Sequence, residues 1–376
     1  TRRRIGDLME ALGACIIVSD HFVQPGWLDD RSSGSIVAVR NGLLDINTRE
    51  LHPHTPHYFC TVSVPFDYDP SAPTPHRWLD FLGELWPDEP EAIDATGEWY
   101  GYVISERLDL QKILLAVGPT RGGKGVMARI LERLIGKPNS CGPTLSSLNS
   151  EFGLAPLIGK SLAVISDVRF RGRNSSAVVE RLLSISGEDT LTVNRKYKEQ
   201  WTGKLLTRLY LISNELPRLD DASTAIVGRL VVLPHSRSWL GKENHDLEAQ
   251  LCEELPGILN WALDSLKRLN DNEGRFTRVP SAEAQIIHMR DLASPVAAFV
   301  RERCTLRHDL QVDVDDIYAA YKTWCEDGDY PRLSKTVFGR DLMAACPGVR
   351  KQRLREGEER RHVYAGIAFG KTEGGG

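Results

Sequence analysis

The sequence predicts an α/β fold built on a parallel central sheet with a phosphate-binding loop. Three observations predict it. The apolar run Ile113-Leu114-Leu115-Ala116-Val117 ends in Gly118-Pro119-Thr120-Arg121-Gly122-Gly123-Lys124-Gly125-Val126, and a helix-period segment follows to residue 135. Further buried-type runs, at 161–167, 208–214 and 229–234, alternate with helical patterns, as crossover-connected parallel strands do. The flanks differ in kind. A hairpin signal precedes this span, and helices closed by a basic hairpin follow it. The division expected is an N-terminal α+β and helical unit at 1–95, a core at 96–270, a linker at 271–281, a C-terminal unit at 282–370 and a flexible tail at 371–376. A chain of 376 residues has room for about two or three domains.

Composition narrows the function classes. The net charge of −4 excludes a globally basic protein, so any nucleic-acid binding must come from a local patch. No run approaches the ~18 apolar residues of a membrane span. The seven cysteines are scattered and none forms C-x-x-C, which suits reduced thiols in a cytoplasm and neither a disulfide framework nor a zinc site.

Residues 1–35 offer only a short helical pattern at 5–12 and an apolar patch at 16–18. Residues 35–45 read as a β-hairpin, with Asn41-Gly42 between apolar alternations. In His52-Pro53-His54-Thr55-Pro56-His57 the two prolines make an extended turn. No carboxylate or cysteine stands at ligand spacing, so no metal is expected there. A Pro/Asp-rich stretch at 65–75 reads as a linker, and 76–107 carries helical periodicity.

Gly118, Gly123 and Lys124 fit G-x-x-x-x-G-K. Glycines let backbone N–H groups curl round an anion, the helix N-terminus adds partial positive charge, and the lysine reaches the outer phosphates. Gly118 through Val126 are therefore the expected cradle for ATP, the plainer alternative being a glycine-rich turn with an exposed lysine. One position departs from the pattern. The Ser/Thr that would hold Mg²⁺ is Gly125, and Val126 has no hydroxyl either.

Asp167 closes the next apolar run, where an acid beside a phosphate loop would hold Mg²⁺ through water; a cap or turn aspartate is the alternative. After a helical pattern at 175–186, two β-prone arms flank the tip Arg195-Lys196-Tyr197-Lys198. Its cations can meet phosphates and its ring can stack a base, although charged hairpin tips are commonly just solvated. Asn214 ends a third run, and its amide could orient a water against a γ-phosphate. Helical patterns at 283–304, 313–326 and 334–345 precede a basic hairpin holding Arg350, Lys351, Arg353, Arg355, Arg360 and Arg361. This order matches a winged-helix module able to bind DNA, with a solvated hairpin as the alternative.

The order of phosphate loop, strand-end acid, basic hairpin, strand-end asparagine and arginine resembles that of superfamily III helicases, a viral and plasmid branch of AAA+ ATPases. Within them the chain is similar to the phage and plasmid primase-helicase C-terminal family, related to poxvirus-type replication NTPases. The resembling segments are Val39-Arg40-Asn41-Gly42-Leu43-Leu44-Asp45 with His54-Thr55-Pro56, Leu211-Ile212-Ser213-Asn214-Glu215-Leu216-Pro217, 189–198, and Ile317-Tyr318-Ala319-Ala320-Tyr321-Lys322-Thr323-Trp324-Cys325.

The resemblance implies an AAA+ core with a collar domain before it and a winged helix after it. It implies an ATPase and DNA helicase in which Lys124, Asp167 and Asn214 serve ATP and Mg²⁺. Arg229 would reach the neighbouring subunit's ATP in a homo-oligomeric ring, a hexamer. Lys196 and Lys198 would line a pore around single-stranded DNA, with 3′→5′ movement on forked or origin DNA. It also allows an upstream primase domain, replication-protein partners and a bacterial host cytoplasm. A P-loop nucleotide kinase and a non-hydrolysing origin-binding protein are the competing expectations. The loss of the hydroxyl at Gly125 leaves reduced hydrolysis open.

Overall fold

The computed structural model describes residues 2–15, 25–29, 31, 36–60, 63–105, 107–169, 175–217, 225–328, 330, 332–356 and 359–370. The expected tail at 371–376 lies outside them. Five strands form the central sheet: β1 (Ile113–Val117), β2 (Ser140–Cys141), β3 (Leu162–Ile165), β4 (Arg208–Ser213) and β5 (Leu230–Pro234). They lie in the order β5-β1-β4-β3-β2, and every neighbouring pair is parallel. All of β1 and β5 is buried, which is why these strands read as unbroken apolar runs. Helix Lys124–Ile135 leads from β1 toward β2, and helix Ser175–Ser186 follows β3. β1 sits between β4 and β5, so the chain leaves it in one direction and later returns on its other side. Open parallel sheets bind ligands outside the carboxyl ends of strands at such a reversal. The two-residue β2 is too short to show a period and was not legible in the turn-rich 138–150.

Two helices, Pro90–Ile104 and Leu255–Asp271, pack closely beside the sheet. Glycine permits the approach: a Cβ at Gly101 would stand 2.6 Å from both the Ala262 carbonyl oxygen and Leu266 Cβ. Trp78, Tyr100 and Trp261 fill the same region, with ring centroids 5.5–5.8 Å apart. Glu98, on the first of these helices, is buried, and its carboxylate accepts from Arg268 Nε at 3.1 Å and from Thr277 N and Oγ1 at 2.7 Å each. Phe276 lies against Tyr102 with centroids 5.8 Å apart. Residues 271–281, expected as a linker, are thus fastened to the helix pair. One hydrophobic core runs from Val39 to Met289 and another from Val296 to Ile367, so the break falls near Ser294. Helix Pro90–Ile104 also crosses the boundary expected at residue 95 without interruption.

The N-terminal hairpin pairs Ile36–Val39 with Gly42–Asp45, as the Asn-Gly turn predicts. Asn41 holds the turn to residues 65–75. Its Nδ2 donates to the Tyr68 carbonyl and its Oδ1 accepts from Tyr68 N, both at 2.9 Å. Beyond Ser294 stand helices Pro295–Arg303, Val314–Asp327 and Lys335–Ala345, with strand Cys304–Asp313 after the first. Strands Arg350–Glu356 and Glu359–Phe369 complete an antiparallel sheet in which Glu359–Phe369 is central. The single helical pattern expected at 283–304 is two helices. Pro295 opens the second, and Ser294 Oγ caps it by accepting from Ala297 N at 3.3 Å. The strand at 304–313 escaped the sequence reading because its middle is polar and its register shifts between Leu306 and Gln311.

Gly101→Ala should lower stability by about 1–3 kcal/mol, because the added methyl meets backbone it cannot displace cheaply. A reduced urea midpoint with unchanged slope is the expected result; a wild-type midpoint would contradict the close helix pair.

Candidate functional site

At the carboxyl end of β1 the chain turns through a loop whose backbone is left-handed at Arg121 (φ 60°) and Gly123 (φ 81°). Gly123 is the N-cap of helix Lys124–Ile135, and among the described residues no side chain caps that end. The first-turn N–H groups of a helix lack intrahelical acceptors, so this end suits an anion. Lys124 is buried, and its Nζ donates to the Gly118 and Pro119 carbonyls at 2.6 Å each. Burial pushes its ammonium below the usual lysine pKa, with the Asp167 carboxylate pulling the other way. A phosphate arriving here would compete with two loop carbonyls for the same ammonium.

The loop is held from below by His235, the residue after β5. Its backbone N donates to the Val117 carbonyl at 2.7 Å, and its ring Nδ1 lies 2.7 Å from the Gly122 carbonyl. A carbonyl only accepts, so Nδ1 carries the proton and Nε2 does not; Nε2 is buried with no partner among the described residues. Burial is the main cause that brings this imidazole from 6.5 down to about 4; the nearby Lys124 charge adds to it and the bond to Gly122 opposes it. Trp86 packs on the ring at 5.0 Å between centroids and donates from Nε1 to the Pro234 carbonyl at 2.6 Å.

A cleft of 890 Å³ opens above the loop, lined by residues 120–126 together with Asp167 and Asn214. Gly118 and Pro119 lie behind it, offering their carbonyls to Lys124. Asp167 has φ 52°, just past β3, and Asn214 follows the last residue of β4. The two strand ends are tied together. Val168 N donates to the Ile212 carbonyl and Ser213 Oγ donates to the Val168 carbonyl, both at 2.9 Å. The far walls come from helix His76–Leu85, through Arg77, Asp80, Phe81 and Glu84, and from segment 239–250. That segment grips the loop, with Ser238 Oγ donating to the Thr120 carbonyl at 2.8 Å, Trp239 N donating to the Arg121 carbonyl at 3.1 Å and Glu243 paired to Arg121 at 3.3 Å.

The uncapped amides, the lysine and the carboxylate fit a Mg²⁺-bound nucleoside triphosphate. Among the described residues no three His, Cys, Asp or Glu side chains form a metal cage. An ion here would rely on Asp167, water and phosphate oxygens.

The other expected site residues stand elsewhere. Arg195, Lys196, Tyr197 and Lys198 tip an antiparallel hairpin of strands Leu191–Arg195 and Lys198–Gly203. Tyr197 is 93% exposed at φ 60°, with Lys196 Nζ 5.1 Å from its ring centroid, and Arg195 Nε donates to the Glu199 carbonyl at 2.8 Å. Arg229 precedes β5 at the opposite edge of the sheet, roughly 15 Å of strand away from the loop. Its Nη1 donates to the Leu183 carbonyl at 2.5 Å and to Ser186 Oγ at 2.9 Å, capping the end of helix Ser175–Ser186. Arg350, Lys351, Arg353 and Arg361 are exposed on the C-terminal hairpin, with Arg353 opposite His362 in register and Arg360 on the central strand. Sequence reasoning missed His235, Arg129, Glu248 and the 239–250 wall. His235 had a usable signal, being a polar residue at the carboxyl end of a buried strand like Asp167 and Asn214.

His235 makes stability depend on pH. The unfolded imidazole takes a proton below about 6.5, while the folded one refuses it until about pH 4. Its contribution is therefore fully present above pH 6.5 and is lost as pH falls toward 4, to a total on the order of 3 kcal/mol. His235→Asn keeps a donor for Gly122 but cannot titrate, so its urea midpoints should flatten across this window. A profile as steep as the wild type would refute the buried neutral imidazole.

Three family descriptions match the chain: "D5 N terminal like" over residues 1–87, a family of unknown function (DUF5906) over 116–229, and "Poxvirus D5 protein-like" over 293–369. Among curated proteins, "Putative helicase 121R" of Invertebrate iridescent virus 3 is 20% identical over 77% of this chain, which spans 34% of that protein's length. The "Uncharacterized mitochondrial protein ymf21" of Marchantia polymorpha is 26% identical over 31% of this chain and 72% of its own. Among solved structures, an apo form of the NrS-1 C-terminal region superposes with a TM-score of 0.55 at 11% identity, covering 96% of this chain and 90% of that one. Another apo structure of the region gives 0.52 at 12% identity, over 80% and 78%. At such identities these structures speak for the fold alone. With D5-like segments at both ends and a helicase relative along most of its length, the chain resembles the D5-type primase-helicases of superfamily III.

Proposed function

We propose that this chain is an ATP-driven DNA helicase of the replication machinery of a phage, plasmid or related mobile element, working as a ring. The observation that carries the reading is the meeting of Lys124, Asp167 and Asn214 in one cleft at the carboxyl ends of β1, β3 and β4. The order β5-β1-β4-β3-β2 supports an AAA+ type of core. The loop and Lys124 bind the ATP phosphates, Asp167 holds Mg²⁺ through water, and Asn214 meets the γ-phosphate. When bound, Mg²⁺ supplies neutralising charge at the phosphates. Arg229 is too far away to serve its own cleft and is offered to a neighbour's. A trans arginine of this kind contributes roughly 10³–10⁵ in rate. A head-to-tail interface that closes makes a ring, and we take six subunits as its size.

The hairpin tip lines the pore, where Lys196 and Lys198 meet DNA phosphates and Tyr197 offers a stacking face. Helix, strand, two helices and hairpin beyond Ser294 support a winged helix, in which Arg350, Lys351, Arg353, Arg360 and Arg361 hold duplex DNA at the fork or origin. Movement is 3′→5′ along single-stranded DNA in the bacterial host cytoplasm. Among the described residues no helix is long and apolar enough to cross a membrane.

ATP hydrolysis measured with and without single-stranded DNA tests the reading. Turnover should rise with DNA and vanish in Lys124→Ala, while Lys196→Ala should lose the DNA stimulation and strand displacement. DNA-independent transfer of phosphate to a nucleotide acceptor would point instead to a kinase. Duplex binding without turnover would point to an origin-binding protein, the reading that the missing hydroxyl at Gly125 favours.

A further inference from the structure

Gly125 opens the question of what replaces a hydroxyl beside the phosphates. A Cβ at Gly125 would stand 3.1 Å from Nη1 of Arg129, one turn further along the same helix. Long helical side chains lean back over the preceding turn, which brings this guanidinium over residue 125 and into the wall of the cleft. An arginine over the first turn of a helix stands at the wrong end for the helix dipole. Glu248, from helix Leu247–Cys252, offsets this by accepting from Arg129 Nε at 2.6 Å, and its other oxygen lies 3.4 Å from Arg133 Nη2. Partial burial would raise the Glu248 pKa, but the bonds and charges of Arg129 and Arg133 outweigh it and keep the carboxyl below its usual value. Glu248 therefore stays ionised and engages the Nε side, leaving the Nη1 side toward Gly125.

We propose that Arg129 is a phosphate-binding residue of this cleft, contacting the outer phosphates of a nucleoside triphosphate from the helix side. Glu248 is its positioning residue, and glycine at 125 is the space it needs. Guanidinium has five donors in a fixed fork, so it can keep Glu248 on one side and take a phosphate oxygen on the other. The charge that a hydroxyl-held metal would bring to this side of the phosphates comes here from the chain itself. Nucleotide affinity consequently depends less on Mg²⁺ than in a loop with Ser or Thr at this position. The inference rests on the nucleotide reading of the cleft.

Calorimetric titration of the full chain with ATP, in Mg²⁺ and in EDTA, tests it. Arg129→Ala should weaken binding by about tenfold or more in both conditions. Arg129→Lys should recover little, because an ammonium cannot span Glu248 and phosphate together. Glu248→Gln should lose less than Arg129→Ala. Adding Gly125→Ser to Arg129→Ala should restore affinity in Mg²⁺ but not in EDTA. Melting without nucleotide confirms that each variant is folded. Wild-type affinity in Arg129→Ala, alongside lost binding in Lys124→Ala, would overturn the role of Arg129 and leave the cleft reading standing. Equal losses in Glu248→Gln and Arg129→Ala would also overturn it, reducing the pair to a tether for helix Leu247–Cys252. If Lys124→Ala binds as the wild type does, the nucleotide reading fails and this inference with it.

Discussion

The loop at 118–123 keeps its shape because the chain beyond β5 runs directly beneath it. His235 joins β1 through its backbone and the loop through its ring. A Cβ on Gly118 would collide with the His235 carbonyl oxygen, and one on Gly122 would sit 2.9 Å from the Arg237 and Pro119 carbonyls. These glycines therefore serve the packing of loop against strand before they serve any phosphate. The same clasp requires a neutral imidazole, because a charged one would lie buried beside Lys124. Loop geometry, lysine placement and the pH range of the fold share one contact.

The sheet then separates the chemistry by edge. Lys124, Asp167 and Asn214 gather at the carboxyl edge, while Arg229 sits at the amino edge. There it caps helix Ser175–Ser186, whose C-terminal end leads through Gly187 into the exposed hairpin. Lys112 stands at the same edge and donates from Nζ to the Gly228 carbonyl at 2.8 Å. In the ring reading, the arginine offered to a neighbour's nucleotide also fastens the helix that carries the DNA-facing hairpin. On the helix side of the cleft, Arg129 faces Gly125 and is held there by Glu248.

Much of this was legible in the chain because it rests on local patterns. Buried parallel strands declare themselves as apolar runs, and their polar ends gave Asp167 and Asn214. The Asn41-Gly42 turn and the tip at 195–198 carried their own turn and charge chemistry. What stayed hidden depends on distant packing. The 271–281 segment reads as a linker, and only the buried Glu98 carboxylate shows why Thr277 is held to the core. Strand Cys304–Asp313 lacks an apolar period, and β2 has only two residues. Arg129 and Glu248 lie 119 residues apart in sequence, so no spacing rule brings them together.

In the proposed ring, each ATP site takes Lys124 from one subunit and Arg229 from the next. Mixing two inactive variants, Lys124→Ala and Arg229→Ala, tests it directly. Rings assembled at random from equal amounts should contain intact sites at about a quarter of their interfaces, each joining a Lys124-bearing subunit to an Arg229-bearing neighbour. ATPase activity recovered on mixing, well above that of either variant alone, is the predicted result. A mixture as inactive as its components, with rings shown to exchange subunits, would contradict the shared site.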